Sequence, residues 1–510
     1  MEYSSVLYWM WGGPVELRDT TVLVSGAGPT GLVLAAGLAL QGVPVQVVDK
    51  ADGPATTSRA LGLHPRGAEV LDRIGALGNL TERAIAMRSV TLRGGGGSEV
   101  RLDMDHGRAG YRKALIMSQA SVEGQLRQRL GELGVPIRWD GELVDAEQDE
   151  HGVTATVRGP GGDGKVRAQW LVGCDGAHSA VRKLAGIDFP GGQIVDSSLL
   201  ADLRADWPLE RTGSTAALGE RGLIGVMPLP GGVWRLFAPA PDLSARAGQD
   251  EILREVREIV RGTLDLPADS IAEVQWLSVF RIHRRLATTF RRGRLLLAGD
   301  AAHIHSPTGG QGMNTGIGDA ENLAWKLSLV ARGRAAEPLL QTYEAERRPL
   351  VETVLRSTTA ATRVLFSGGR SFLRDRVAFP LMQRPWLQRQ LWWRASQLGV
   401  HYRRGPLAGR DAGRGPRAGD RAPNIACLRR DGGRTLLHEN LGDRWVLLGP
   451  PGPAEDEVVE RLGDEVVALD HPDAGLRENL LVRPDGHVAW RGRRGAGRWL
   501  DAVLRGGGLR

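Results

Sequence analysis

Residues 21–49, TVLVSGAGPTGLVLAAGLALQGVPVQVVD, decide how the rest of the chain is read. Val22, Leu23 and Val24 form a short apolar run of the kind that makes a buried parallel strand. Gly26, Gly28 and Gly31 follow in the spacing G-x-G-x-x-G, and an apolar helical stretch then runs to Gly42, which can cap it. A second strand-like run, Val43 to Val48, ends in Asp49, 23 residues after Gly26. Strand, glycines, helix, strand and terminal acid in this order are the parts of a dinucleotide-binding unit. The first glycine makes the tight turn, the second lets the backbone approach a pyrophosphate, and the third lets helix and strand pack closely. The helix start offers free N–H groups to phosphates, and Asp49 is placed to accept from a ribose hydroxyl. The plainer alternative is a glycine-rich turn in some other α/β unit, since the chain holds 70 glycines.

A chain of 510 residues exceeds one ordinary domain and can bury a sizeable core. Hydrophobic content of 42% with 25% charged residues is that of a soluble globular protein. The net charge of +7 raises the question of nucleic acid. However, the bases are overwhelmingly arginine, with lysine only at Lys50, Lys113, Lys165, Lys183 and Lys326, and they are scattered among 59 acids. That pattern argues against a polyanion partner. Two cysteines, Cys174 and Cys427, cannot build a disulfide framework or a cysteine-rich metal site, which fits a reducing, cytoplasmic setting. No apolar run reaches the roughly 18 residues a membrane span needs. The opening MEYSSVLYWMWGG has neither Lys nor Arg nor a cleavage site, and reads as an extension before the first strand.

Along the chain, residues 59–77 predict a helix buried through Ala68, Leu71, Ile74 and Leu77, with Arg59 and Arg66 near its start. Those arginines either face nucleotide phosphates or are solvated surface charges. Val90 to Leu102 reads as a hairpin around Gly94 to Gly97, and Leu115 to Leu133 as a helix capped by Ser118, with Gln119 in its first turn. Alternating strands run from Ile137 to Val157. In WLVGCDGAHSAVR, residues 170–182, a buried strand ends in an acid flanked by glycines, Asp175, and a helix starts near Ser179 with Arg182 outside. An acid at the carboxyl end of a parallel strand is where an open α/β sheet binds its ligand.

From Leu199 to Phe280 the strand-like runs change to an antiparallel pattern with one helix, Asp250 to Arg261, behind it. Such a sheet offers an apolar floor for a flat substrate. Residues 293–326, GRLLLAGDAAHIHSPTGGQGMNTGIGDAENLAWK, carry a buried strand into Gly299-Asp300 and a glycine loop into a helix. Loop amides and a helix start there suit a ring that gains negative charge. His303 and His305, two apart, lack carboxylates in metal-ligand register, so no metal is expected. Glu344 to Ala361 reads as helix with a break at Pro349, and Phe372 to Gln397 as an Arg- and Trp-rich amphipathic stretch packed across the core. Residues 406–423 are a Gly/Pro/Arg linker, and short strands and helices beyond it make a small α/β domain.

GAGPTG, CDGAHSAVR and GDAAHIHSPTGGQGMN together resemble the class A flavoprotein monooxygenases, the p-hydroxybenzoate hydroxylase-like family, and among them the actinobacterial hydroxylases of polyketide aromatics. The resemblance covers residues 20–400 strongly and the tail more weakly. It implies a mixed α/β and α+β chain: an extension (1–19), a Rossmann-like FAD-binding domain in two parts (20–195 and 286–405, the second with a helical region), an inserted antiparallel substrate domain (196–285), a linker (406–423) and a thioredoxin-like domain (424–510). By the same resemblance Gly26, Gly28, Pro29, Thr30, Gly31, Asp49 and Lys50 hold the ADP half of FAD, and Arg59 contacts its phosphates. Gln119, Asp175, Gly299 and Asp300 serve the ribityl side, Asp175 also touching NADPH. Pro307 lies over the flavin beside the substrate, and Gly310, Gly312, Met313 and Asn314 line the ring. Arg235 matches, loosely, an arginine that meets the flavin, so Pro307, Arg235 and Gly312 are the catalytic candidates. The implied reaction uses NADPH (or NADH), FAD and O2 to hydroxylate a polycyclic aromatic through a flavin C4a-hydroperoxide. Baeyer–Villiger insertion, a reductase, or a flavin-binding partner without turnover are the rivals; the halogenase W-x-W-x-I-P motif is absent. A homodimer is the assembly to test. The tail lacks C-x-x-C, so it is expected to be structural.

Overall fold

The computed structural model describes residues 17–56, 60–94, 98–105, 113–219, 222–244, 247–306, 309–366, 376, 379–408, 415–471 and 478–505. Arg59 and Pro307 therefore lie outside the described residues.

The apolar run at the start becomes strand Thr20–Ser25, the centre of a sheet with parallel neighbours Gly162–Gly173 and Val45–Val48. Leu295–Leu297 extends the parallel set beyond Gly162–Gly173, and Ile137–Arg138 extends it beyond Val45–Val48. Glu142–Gln148 and Val153–Gly159 fold back antiparallel on the long strand. Helix Pro29–Leu40 is almost wholly buried because both of its faces are covered, and Gly42 closes it at φ +73° as a left-handed residue. It packs with Ile317, Ala320, Leu323 and Leu327 of helix Gly312–Ala331 in one core.

A second, eight-stranded sheet runs in the order His303–Ile304, Ile271–Leu286, Gly191–Ala205, Val233–Pro239, Gly222–Pro228, Gly213–Gly219, Ser89–Arg93, Glu99–Asp103. Alternation sorts its faces. Trp234, Leu236 and Ala238 pack on helix Gln249–Gly262 through Ile252, Val256 and Ile259. Val233, on the opposite face, meets Leu61 and Ile116 of the first domain. One departure from the sequence reading is the hairpin near residue 90. It pairs parallel with Gly213–Gly219, so this segment belongs to the middle sheet although it lies far upstream of it. Leu115–Ile116 is a short strand, and the helix starts only at Gln119, capped by Ser118 Oγ on the Ser121 N–H at 3.3 Å.

Pro349 breaks nothing. It sits inside a continuous helix, Gln341–Phe366, where loss of one N–H is tolerated among packed neighbours. The Arg- and Trp-rich stretch forms helices Phe379–Met382 and Pro385–Ala395, and much of it is exposed: Trp386 keeps 56% of its surface. Within these two helices, Phe379 and Trp392 are the buried residues. The tail folds as a six-stranded sheet, and the sequence reading missed its first hairpin, Ala426–Arg429 with Arg434–Leu436. Trp445, Leu447 and Trp499 of this unit pack on Trp325 and Leu329 of helix Gly312–Ala331. The described part of the linker is stitched down rather than loose: Leu407, Ala418 and Ala422 are buried, and the Gly419 N–H donates to Val488 O at 2.7 Å. Among the described residues no helix is long and apolar enough to cross a membrane.

Candidate active site

Register brings three strand ends side by side: Ser25 pairs with Gly173, and Gly173 with Leu297. The turns that follow touch. The Gly26 N–H donates to Val48 O at 2.8 Å, the Cys174 N–H to Ser25 O at 2.7 Å, and the Ala298 N–H to Gly173 O at 3.0 Å. This is the carboxyl edge of a parallel sheet, where open α/β folds keep their ligands.

The glycines there do different things. Gly26 turns at φ +108°, and a Cβ on it would sit 2.4 Å from Cys174 O. A Cβ on Gly31 would lie 2.0 Å from Gly26 O. Gly28 has no atom within 4 Å of that position, so its missing side chain leaves open space facing outward from the helix start. Thr30 is a wedge: a Cβ on Gly299 or Gly316 would meet its Oγ1 at 2.5 and 2.3 Å. Helices Pro29–Leu40 and Gly312–Ala331 thus begin close together, with no acid and no side-chain cap in either first turn. Their positive ends are left unneutralised.

Asp49 holds the glycine loop, accepting from Ala27 N at 2.6 Å and from Ala51 N at 2.9 Å. Lys50 beside it is exposed. Gln119 donates through Nε2 to Glu123 Oε1 at 2.8 Å, and burial pushes the Glu123 carboxyl up from its ordinary value. Asp175 accepts through Oδ2 from the Ala180 and Val181 N–H groups at 2.7 and 3.2 Å. Its Oδ1 is buried without a partner among the described residues, and burial raises this carboxyl too. Arg182, expected outside, is buried: it spans Ala301 O at 2.9 Å and Ala177 O at 2.8 Å, tying the two acid-bearing turns together. Gly299 turns at φ +61°, and Asp300 next to it is exposed.

Asn314 is buried and joins the loop before helix Gly312–Ala331 to the first domain. It donates to Gly62 O at 2.8 Å and Gly310 O at 3.2 Å, and accepts from His64 N at 2.8 Å. Gly312 opens the helix and Met313 is half-buried behind it. His64 sits against the same loop, its Nδ1 at Ala395 O, and burial lowers its pKa. Arg235 lies on the middle-sheet face shared with Val233, which meets Leu61 and Ile116 of the first domain. Its Nε and Nη2 each donate at 2.6 Å to the Asp202 carboxylate, with its guanidinium 5.1 Å from the Trp276 ring.

The two histidines take different partners. His303 Nε2 lies 2.6 Å from Asp319 Oδ2, and His305 Nδ1 lies 2.8 Å from Ser306 O. Burial takes His305 down to about 4. Among the described residues no cluster suits a metal ion. Asp319, with Arg347 on its other oxygen at 2.6 Å, is a site residue the sequence reading missed. The available signal was an acid set directly among the small and apolar residues Gly316, Ile317, Gly318 and Ala320. Arg66 was also misjudged: it is buried, donating to Glu321 Oε2 at 2.8 Å and Asp485 O at 2.7 Å, facing the tail instead of phosphates or solvent.

The donor set fits FAD. A backbone cradle is open at Gly28, an acid stands on each flank at Asp49 and Asp300, Asp175 has an unspent oxygen, and two helix starts are free of acids.

Comparison with known proteins agrees with this geometry. Residues 19–358 match the family described as FAD binding domain, and residues 415–506 match Aromatic-ring hydroxylase, C-terminal. The chain is 37% identical to the 6-methylpretetramide 4-monooxygenase of Streptomyces rimosus over 536 aligned positions, covering 96% of this chain and 94% of that one. It is similar to the solved OxyS anhydrotetracycline hydroxylase from Streptomyces rimosus, with a TM-score of 0.79, 34% identity, and 96% and 100% of the two chains covered. Aklavinone-11 hydroxylase, solved as a ternary complex with FAD and aklavinone, matches with a TM-score of 0.76 and 27% identity over 96% and 99% of the chains.

Proposed function

Because the chain belongs to the FAD-binding, aromatic-ring hydroxylase family of flavoprotein monooxygenases, we propose that it hydroxylates a polycyclic aromatic polyketide in antibiotic or secondary-metabolite tailoring. NADPH or NADH is the electron donor and O2 the oxygen source in this reading. The observation that carries it is the single sheet edge shared by Ser25, Gly173 and Leu297, which gathers the glycine- and acid-bearing turns around one open cradle.

FAD bound there supplies hydride acceptance and the activation of O2. The chain's own work is binding, orientation and exclusion of water. Gly26, Gly28 and Gly31, with the free N–H groups of Thr30 and Gly31 behind Pro29, would receive the pyrophosphate, which Gly28 admits because a side chain there would meet nothing within 4 Å. Asp49 would keep lone pairs for a ribose, with Lys50 beside it, and Arg59, further along the chain, would contact the phosphates. Gln119, Asp175, Gly299 and Asp300 serve the ribityl chain, and the unspent Asp175 oxygen is one natural acceptor there. Gly310, Gly312, Met313 and Asn314 run along the ring, where the acid-free helix start stabilises negative charge. By the family resemblance Pro307 would lie over the flavin beside the substrate. Arg235, locked by Asp202, orients charge on the floor where the aromatic substrate lies flat. The tail is thioredoxin-like in this reading, without dithiol chemistry: Cys427 is alone and burial pushes its thiol up to about 11.

The test is the absorption spectrum of the purified protein, followed by NADPH and NADH oxidation with a panel of polycyclic phenols. A yellow protein whose nucleotide oxidation rises with one phenol, yielding a ring one hydroxyl richer, supports the reading. A colourless protein that refuses added FAD, or a product carrying an inserted ester oxygen, defeats it.

A further inference from the structure

We infer that Arg347, held in place by Tyr402, is a positioning residue through which the C-terminal unit sets the turn carrying Gly299 and Asp300; this rests on the reading that the turn holds FAD. One guanidinium makes three contacts at the site. Its Nε donates to Asp319 Oδ1 at 2.6 Å, its Nη2 to Thr315 O at 2.9 Å, and its Nη1 to the Tyr402 hydroxyl at 3.0 Å. Thr315 lies in the first turn of the helix that opens at Gly312. Asp319 in turn accepts the Gly299 N–H at 3.1 Å and His303 Nε2 at 2.6 Å. Arg347 therefore secures both the ring-side helix start and, through Asp319, the acid-bearing turn.

The outer end of this chain belongs to the C-terminal unit. The Tyr402 N–H donates to Gly419 O at 2.6 Å, its ring lies 4.4 Å from the His487 ring, and the Arg483 guanidinium is 5.2 Å from it. Tyr402, Arg347 and Asp319 are all buried, so none can exchange its partner for water. Burial alone would raise the Asp319 carboxyl, yet Arg347 and His303 hold it at about 2. One side of the turn has no room to spare, since a Cβ on Gly299 would meet Thr30 Oγ1 at 2.5 Å, and on the other side Asp300 is exposed. Slack introduced at Arg347 is expected to reach the turn on the Asp300 side.

The experiment measures FAD dissociation constants by flavin fluorescence, with visible spectra of the bound form, on full-length protein. Tyr402→Phe removes one hydroxyl acceptor, and the expected result is FAD bound about three- to tenfold more weakly, with an altered visible band. Arg347→Lys, which loses the fork, is expected to weaken binding by tenfold or more on the same scale. Leu469→Val, in the part of the C-terminal core that does not include helix Gly312–Ala331, should lower the melting temperature and leave the FAD constant and spectrum alone. If Tyr402→Phe binds FAD as wild type does, or if Leu469→Val weakens FAD equally, the inference is overturned. If wild type itself binds no FAD, the functional reading falls first and takes this one with it.

Discussion

The cradle at Gly28 and the seam between helix Gly312–Ala331 and the C-terminal sheet are built on opposite principles. The cradle is backbone, helix ends and space: a side chain on its central glycine, Gly28, would meet nothing within 4 Å. The seam is a buried lattice of full charges. Lys326 donates to Glu346 at 2.7 Å, Arg483 donates to Glu346 at 2.7 Å and to Asp485 at 3.0 Å, and Trp325 Nε1 reaches Asp485 Oδ2 at 3.2 Å. Alongside, Glu321 takes Arg66 at 2.8 Å together with Arg73, and Glu69 takes Arg421 at 2.8 Å. Burial would raise the Glu346 carboxyl, but Arg483 and Lys326 bring it to about 2, while burial takes Lys326 down to about 8. A site made of backbone and space stays available to a ligand at little cost to the fold. A seam made of charges tolerates no missing partner, because the survivor stays buried and unpaired.

The sharpest way to break this contrast is at the glycines. Gly28→Val should abolish FAD binding while the melting temperature of the flavin-free protein stays unchanged, since the new side chain enters only the ligand's space. Gly31→Ala should instead damage the fold, by about 2–3 kcal/mol in denaturant titration, because its Cβ meets Gly26 O. If both variants lost stability equally, the cradle would not be the open element described. At the seam, Glu346→Gln leaves Lys326 and Arg483 competing for too little negative charge. A loss of about 3–5 kcal/mol is expected by urea unfolding. A loss below about 1 kcal/mol, the range of an exposed pair, would show water reaching the seam.

The smallest expected effect is a pH slope. His438 is buried with its Nε2 at Ala422 O and its Nδ1 facing Arg73; burial, then Arg73, takes its pKa from 6.5 to about 3. Between those two values the unfolded chain binds the proton and the folded one does not, so stability falls as pH falls through that window. The loss reaches at most about 2 kcal/mol a pH unit and a half below the ordinary value. Glu69, where Arg421 overrides burial and holds the carboxyl at about 2, adds its own loss only below its ordinary 4.5. Thermal melts of His438→Gln should therefore show a flatter slope at mildly acid pH. An unchanged slope would locate the acid sensitivity in another buried histidine, such as His487.

These two regions also differ in how far they could be read in advance. Gly26, Gly28, Gly31 and Asp49 lie within one short stretch, and their spacing encodes turn, approach and packing because local backbone geometry dictates all three. Ser118 as a cap and the alternating middle strands were legible for the same reason. The hairpin near residue 90 was legible as a hairpin, but its place in the middle sheet was not, because strand pairing is settled by the whole sheet and not by the segment. Arg66 looked like a phosphate ligand or a surface charge, since nothing in its neighbourhood announces Glu321 or Asp485 far along the chain.

By itself, then, the sequence determined the nucleotide unit, the order of the glycine- and acid-bearing strand ends, and the family, all of them carried by contiguous motifs. Tertiary structure alone decided that those ends share one edge, that Asp319 and Arg347 stand behind the acid-bearing turn, and that the tail is joined to the core by buried charge. The physical reason is range: a turn is dictated by a few neighbouring dihedrals, whereas an ion pair across hundreds of residues exists only once the chain has folded around it.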